Sequence, residues 1–471
     1  MFVFDDSGSM DSTYIYQYGV DGGAFGYQGP DSLTYAQYSA DFNYLYYDPK
    51  VSYKPRIKAD GTRYAAGALP TRSFKVYFYR DSAGVNRRWT GENQSSITEN
   101  KFFGITTYAA YTPAASLLAP GATTGVNYVA TVPTTGTPVF PKFAARTDCA
   151  GNVCTLTEER QNYGNWNTYY KNRNDMAQTA VGEAFQPLGA TFRLGWAKMA
   201  GDLSSNNQIA SGVGLYDDTR KSDFLTWFYA ASGGNSTPGR TAVTRAGKYF
   251  ARQDNSGPWA DNPVTTSTGL STLATSGTDT TAVRATHLSC RRSFTMFLTD
   301  GYYNDGTGNV VKPDGTAIGN VDRSNSATIT GTVNNLPVTY TYTGATASSA
   351  TYLYRDSDSN TMADVAMYYW VTDLRPDLPN KVKPQDPTPN FAGNPSFWQN
   401  VGFYSIGLGI FGSLPQTAST LTSLKSGSTT WPSPSTNNPT AIDDMSSSAT
   451  MSAPSFTISI RIAVWVARRH V

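Results

Sequence analysis

Met1-Phe-Val-Phe-Asp-Asp-Ser-Gly-Ser-Met10 is the stretch from which the fold can be read. Phe2, Val3 and Phe4 make a compact apolar run of the kind that forms a buried strand. The chain then turns through Asp5, Ser7 and Ser9, which place one carboxylate and two hydroxyls on alternate residues. Hard oxygen donors of this kind suit a divalent cation, Mg2+ above all, which keeps several waters and takes few protein ligands. By itself an Asp-Ser-Gly-Ser run is also ordinary turn chemistry. The cation reading therefore depends on finding matching loops later in the chain, each placed after a strand.

Two such loops follow in order. Gly233-Gly-Asn-Ser-Thr-Pro238 offers Thr237 and leads into a helix reaching to about Phe250. Thr-Pro equally suits a helix start, since Thr caps helices and Pro fits their first turn. Ser293 to Leu298 is a compact apolar run with the length of a buried strand, and it ends in Thr299-Asp300-Gly301. Asp300 is the third offering, although Asp-Gly is also a plain turn. Together Asp5, Ser7, Ser9, Thr237 and Asp300 form an all-oxygen set. Direct coordination falls to the hydroxyls of Ser7, Ser9 and Thr237, while Asp5 and Asp300 hold coordinated waters and balance charge. Few direct anionic ligands leave the metal electrophilic, so an open position can accept a carboxylate from a partner protein. Octahedral geometry favours Mg2+ or Mn2+, and Ca2+ also tolerates the set.

The remaining pattern predicts the scaffold. Gln161 to about Leu188 reads as one long helix with an aromatic face (Trp166, Tyr169, Tyr170, Met176, Val181, Phe185) suited to lying on a sheet. Phe192 to Trp196 alternates as a strand, and Ile209 to Leu215 is a further candidate. Ser222 to Ala230 reads as a short helix with Ser222 as its cap. Thr361 to Val371 is helical, Val401 to Ile410 is a core strand, and Thr417 to Lys425 is a short helix. Strands alternating with helices in this order predict an α/β domain with a mostly parallel central sheet. In such sheets ligands sit outside the carboxyl ends of the strands, where Asp5 and Asp300 both fall. Residues 11–160 carry no helix of useful length and read as an insertion with short strands at 72–80 and 127–132. Residues 302–361 read as a second, hairpin-bearing insertion. The expected domain spans residues 1–445, with core segments at about 1–10, 161–301 and 362–425 and a divergent tail at 446–471.

Composition narrows the function classes. The 471 residues carry 37 Lys and Arg against 35 Asp and Glu, a net charge of +2 that leaves no electrostatic footprint for nucleic acid. Only 15% are charged, while Tyr (31) and Gly (42) abound, the look of an extracellular, loop-rich protein. Two histidines, His287 and His470, far apart in sequence, argue against histidine catalysis and His-rich zinc sites. Of the three cysteines, Cys149 and Cys154 are close enough to close a small loop and Cys290 stands apart; a disulfide between two of the three is expected, which two being open. No run of 18 apolar residues marks a transmembrane helix. Residue 1 already lies inside the first strand, with no signal peptide before it. The 13% aromatic content reads as core and strand-facing residues rather than a binding face.

Asp-x-Ser-x-Ser resembles the first element of the metal-ion-dependent adhesion site of von Willebrand factor A domains. Longer stretches resemble the N-terminal half of the PilC/PilY family of type IV pilus tip-associated adhesins and biogenesis factors. These are Phe2 to Met10, Asn43-Tyr-Leu-Tyr-Tyr-Asp-Pro-Lys-Val-Ser-Tyr-Lys-Pro55, Glu159-Arg-Gln-Asn-Tyr-Gly-Asn-Trp-Asn-Thr-Tyr-Tyr170 and Ser236-Thr-Pro-Gly-Arg-Thr-Ala242. They continue with Ser289-Cys-Arg-Arg-Ser-Phe-Thr-Met-Phe-Leu-Thr-Asp-Gly301, Met367-Tyr-Tyr-Trp-Val-Thr-Asp-Leu-Arg-Pro-Asp377 and Phe397-Trp-Gln-Asn-Val-Gly-Phe-Tyr-Ser-Ile-Gly-Leu-Gly409. The resemblance implies a von Willebrand A, Rossmann-like fold with two large β- and loop-rich insertions. By it, Asp5, Ser7, Ser9, Thr237 and Asp300 map onto the adhesion-site ligands. It further implies a protein or host-surface ligand, type IV pilus subunits as partners, a role in adhesion and pilus-dependent motility, and a location outside the cell or at the pilus tip. Family members carry a secretion signal before the first strand and continue into a C-terminal β-propeller. This sequence becomes Ser/Thr-rich after Ile442-Asp-Asp-Met445 instead, as a fragment or frameshifted reading would, so propeller functions do not carry over.

Two other readings compete with a non-enzymatic adhesion module. A metal-dependent hydrolase would use the same oxygen ligands and a general base, for which His287, Asp6 and Asp305 are the candidates. A scaffold would leave the site structural or empty. Separately, Asp356-Ser-Asp-Ser-Asn-Thr-Met-Ala-Asp364 echoes a calcium loop at its first, third, fifth and ninth positions but lacks Gly at the sixth and Glu at the twelfth. Asn360 or Thr361 as the cap of the following helix is the preferred reading there.

Overall fold

In a computed structural model the described residues are 1–13, 15, 40, 43–71, 74–80, 86–92, 128–132, 134–201, 209–255, 257–263, 265, 285–300, 302–324, 326–333, 335–343, 355–384, 396–408, 412–415, 417–434 and 443–444. The expected tail at 446–471 lies outside them. In chain order the strands are β1 (Phe2–Phe4), β2 (Phe74–Arg80), β3 (Asn86–Glu92), β4 (Tyr128–Val132), β5 (Val139–Pro141), β6 (Val153–Thr155), β7 (Arg193–Lys198), β8 (Ser211–Leu215), β9 (Ser293–Thr299), β10 (Ser326–Val333), β11 (Leu336–Thr343) and β12 (Val401–Gly407). The helices of nine or more residues are α1 (Leu156–Tyr169), α2 (Arg173–Phe185), α3 (Asp218–Tyr229), α4 (Gly239–Phe250), α5 (Met362–Val371) and α6 (Ala418–Ser426); Val321–Ser324 forms a further single turn.

These elements fall into two compact units. Among the described residues, one holds 1–10, 189–224 and 231–444; the other holds 11–188 and 225–230. The first is built on a five-stranded sheet in the order β12-β9-β1-β7-β8. β1 lies between β7 and β9, parallel to both, with Phe2 opposite Trp196 and Met296. β12 is parallel to β9 from Val401–Ser293 to Gly407–Thr299. β8 alone runs antiparallel, against β7. The chain is thus α/β with a mostly parallel central sheet, as the alternation of strands and helices predicts.

Parallel strands must be covered on both faces, which is why β1 and β9 read as near-continuous apolar runs. On one face Val3, Ala197, Phe297 and Phe403 pack with Ala242, Val243, Ala246 and Phe250 of α4 and with Val365, Ala366, Tyr369 and Trp370 of α5. α4 and α5 approach closely at Gly247, where a Cβ would overlap the Tyr369 ring. On the other face Phe2 and Trp196 meet Phe224 with ring centroids 5.7 and 5.5 Å apart. α3 begins earlier than its apolar pattern implies. Asp217, not Ser222, starts it, accepting the Arg220 N–H at 2.8 Å.

The helix expected over 161–188 is two helices. α1 starts at a capping box, in which Thr155 Oγ1 accepts the Glu158 N–H and Glu158 accepts the Thr155 N–H. It ends at Tyr170, and Asn172 caps α2 by accepting the Asp175 N–H at 2.6 Å. The aromatic face of α1 goes to a core of its own unit, not to the parallel sheet. Tyr163 and Trp166 pack with Tyr46, Tyr47, Phe140 and the Cys149–Cys154 disulfide. Beneath this core, Arg146 is fully buried and bridges Glu159 and Asp148 while Tyr47 donates to Glu159. The aromatic excess is therefore interior here. Cys290 is exposed and outside the disulfide. The second expected insertion does carry its hairpin, β10–β11, paired from Ser326–Thr343 to Val333–Leu336.

Candidate functional site

The carboxyl ends of β1, β7 and β9 lie side by side, and the loops leaving them meet. Asp5 follows β1 directly. It is fully buried, and its N–H donates to Leu298 O at 2.9 Å. Its Oδ1 accepts the Ser7 N–H at 2.8 Å; its Oδ2 accepts Thr299 Oγ1 at 2.5 Å and the Asp300 N–H at 3.4 Å. Ser7 Oγ and Ser9 Oγ are 2.9 Å apart, and Ser9 Oγ donates to Asp300 Oδ1 at 2.8 Å. Ser7, Ser9 and Asp300 thus make one run of side-chain oxygens joining loop one to loop three, and Asp5 is tied to it through the Ser7 and Asp300 N–H groups.

Thr237 is buried and reaches the same pole through its backbone. Two residues before it, Asn235 pairs with Ser7 as an isolated parallel bridge. Gly8 N–H donates to Asn235 O at 3.0 Å, and Asn235 N–H donates to Asp6 O at 3.1 Å. Beyond Asp300, Asn304 clasps Thr237 from the other side. Asn304 Oδ1 accepts the Thr237 N–H at 3.2 Å, and the Asn304 N–H donates to Thr237 O at 2.9 Å. The structure therefore joins Asp5, Ser7, Ser9 and Asp300 by side-chain bonds and Thr237 by backbone anchors.

The anchoring residues Asp6, Asn235, Thr299 and Asn304 are not ligand candidates in the sequence. In the sequence Asp6 is a candidate general base beside Asp5. It is fully buried, with Oδ1 accepting the Ala200 N–H at 2.9 Å and Oδ2 accepting Asn235 Nδ2–H at 2.7 Å, so it ties the β1, β7 and Asn235 loops together. The three candidate general bases are each engaged. Asp6 is bound as described. Asp305 caps α4, accepting from the Thr241 N–H and hydroxyl at 2.8 Å each. His287 is buried between Asn255, 2.8 Å from Nε2, and Arg375, 3.0 Å from Nδ1.

The electrostatics fit a bound cation. Burial, and then the charge of Asp300, push the Asp5 carboxyl up to about 7, against the opposing hydrogen bonds from Ser7 and Thr299. A divalent ion between the loops would relieve that repulsion. Among the described residues no three Asp, Glu, His or Cys side chains form a metal-binding group, so the hydroxyls would have to complete the ligand set. Asp5, Ser7, Ser9, Thr237 and Asp300 are all hard oxygen donors, the chemistry Mg2+ takes.

Fold and site together define an α/β module with a mostly parallel sheet and an oxygen-lined carboxyl pole. Comparison with known proteins then supplies relatives. The chain is 26% identical over 482 residues to the type IV pilus biogenesis factor PilY1 of Pseudomonas aeruginosa strain PAO1, covering 94% of this chain and 35% of that protein. It is 27% identical over 488 residues to PilY1 of strain PAK, and 25% identical over 460 residues to that of strain UCBPP-PA14. These matches support a relationship to the PilC/PilY family. The chain spans about a third of the length of the relatives it matches. No family profile matches it, nor does any solved structure.

Proposed function

We propose that the first unit is a von Willebrand A-type adhesion module of a type IV pilus tip or pilus biogenesis protein, working outside the cell through a divalent cation at its carboxyl pole. The observation that carries this reading is the bonded run Asp5–Ser7–Ser9–Asp300, in which two loops 291 residues apart at Ser9 and Asp300 present hydroxyls and carboxylates to one place. Ser7, Ser9 and Thr237 would bind Mg2+ directly; Asp5 and Asp300 would hold its waters. The cation would leave a position for a carboxylate from a protein or host-surface ligand, and pilus subunits are the expected partners. The relatives' name supports the pilus role. The candidate bases Asp6, Asp305 and His287 are each held in other hydrogen bonds, which supports reading the module as non-enzymatic. Among the described residues no helix is long and apolar enough to cross a membrane.

Calorimetric titration of Mg2+ and Mn2+ tests the metal. The wild-type chain should give saturable heat that Ser7→Ala weakens and Asp300→Ala abolishes. A silent wild type would leave the pole structural. In the source bacterium, Asp300→Ala at the native locus should reduce surface attachment and twitching with protein level unchanged. Wild-type attachment in that strain would end the adhesion reading.

A further inference from the structure

A second group of carboxylates lies in the same unit and shares no residue with the carboxyl pole. Asp322, Asp356, Asp364 and Asp444 are each at least nine-tenths buried. Most of their oxygens have clear tasks. Asp364 accepts the Val321 N–H at 2.6 Å and completes a capping box with Thr361, while Asp444 accepts the Met362 and Ala363 N–H groups at 2.8 Å and the Tyr303 hydroxyl at 2.7 Å. Asp322 differs. It is 1% exposed; its Oδ2 accepts the Asp356 N–H at 3.1 Å, and its Oδ1 has no hydrogen-bond partner. An orphaned carboxylate oxygen in the interior costs several kcal/mol unless something meets it, and it therefore points to a ligand.

We infer that Asp322 and Asp356 form a second divalent-cation site, fitted to Ca2+. The two side chains are held in advance of any ion. Asn320 Nδ2–H donates to Asp358 O at 2.5 Å, Asn360 Oδ1 accepts the Gly319 N–H at 2.8 Å, and the Tyr342 hydroxyl donates to Asp322 O at 2.6 Å. These bonds pin the 356–360 loop against the segment carrying Asp322. Asp358 Oδ2, a further buried oxygen of this loop, is also unpartnered. Burial and neighbouring carboxylates push Asp322 up to about 9 and Asp356 up to about 8. Ca2+ suits the place because it takes six to eight oxygens in flexible geometry, so two carboxylates can be completed by carbonyls and waters. The site differs from the calcium loop suggested by spacing. That loop's fifth and ninth positions, Asn360 and Asp364, are spent on backbone N–H groups, and the second carboxylate comes from Asp322, 34 residues before Asp356.

The test is titration of CaCl2 into the full chain carrying Asp300→Ala, which removes the carboxyl-pole site from the readout. One-to-one saturable heat is expected with Kd on the order of 10⁻⁴–10⁻³ M, as in extracellular calcium modules. About 10 mM CaCl2 should raise the melting temperature by about 3 °C. Adding Asp322→Asn should abolish both effects. Asn keeps an acceptor for the Asp356 N–H, and melting in EDTA verifies that the variant folds; Asp356→Asn in the same background is the second variant. No saturable heat in Asp300→Ala, or heat undiminished by both Asn variants, would overturn the site. A failure of Mg2+ binding at the carboxyl pole would leave this result untouched.

Discussion

Asp6 shows how much one buried side chain can organise. Its two oxygens satisfy a backbone N–H at Ala200 and a side-chain amide at Asn235. Truncation would leave the half-buried Ala200 N–H without its acceptor, while the exposed Asn235 amide turns to water, a penalty of about 1–2 kcal/mol. Asp6→Ala should therefore lower the free energy of unfolding by that amount in urea titration, and weaken Mg2+ binding because Asn235 no longer holds the Thr237 loop. An unchanged unfolding midpoint would show that the loops have other support. Asp5 makes a prediction in pH. Its folded value is near 7, raised from the ordinary aspartate value of 3.8. A raised carboxyl binds its proton more tightly folded than unfolded, so it favours folding below about pH 4 and loses that contribution as pH rises toward 7. Asp322 and Asp356 shift in the same direction over a window reaching to about 9 and 8. In EDTA the melting temperature should thus fall between pH 5 and 8, and saturating Mg2+ with Ca2+ should flatten the decline. A melting temperature that climbs with pH in EDTA would contradict this.

Among the elements, those that sequence locates well are the ones that satisfy themselves locally. β1, β9 and β12 are short apolar runs, and α5 carries its own start signal in Thr361; α4 is announced by Thr237-Pro238, although Asp305, far along the chain, caps it. The long helix over 161–188 fails for a reason periodicity cannot register. Tyr170 and Asn172 break it, but the apolar residues of α1 and α2 keep similar spacing across the break, so the two helices imitate one. Thr155→Ala removes the capping box of α1 and should cost about 1 kcal/mol in thermal unfolding. Gly247 explains itself only in three dimensions. A methyl group there meets the Tyr369 ring between α4 and α5, and Gly247→Ala should cost about 1–3 kcal/mol. Stabilisation by that substitution, as helix propensity alone would predict, would show that the two helices can separate freely.

For the whole molecule, the alternation of apolar runs such as Met1 to Met10 and Ser293 to Asp300 with helical stretches predicts an α/β domain, and Asp5 and Asp300 fall just after strands. Hydrophobic run length and the chemistry of oxygen donors are local properties, and both are written in the residues. Grouping into units is not local. Residues 161–188 group with residues 11–160, because their aromatic face is complementary to Tyr46, Tyr47 and Phe140, and complementarity of surfaces leaves no mark at fixed spacing. Pairing across long separations is equally silent. Asn235 and Asn304 became anchors of the candidate site, and Asp322 the partner of Asp356, only when the chain had folded back on itself. Sequence alone thus determined the strand-and-helix alternation and the all-oxygen chemistry of the side chains that follow the strands. Tertiary structure alone decided which carboxylates face one another, since contact between residues far apart in the chain depends on the path of everything between them.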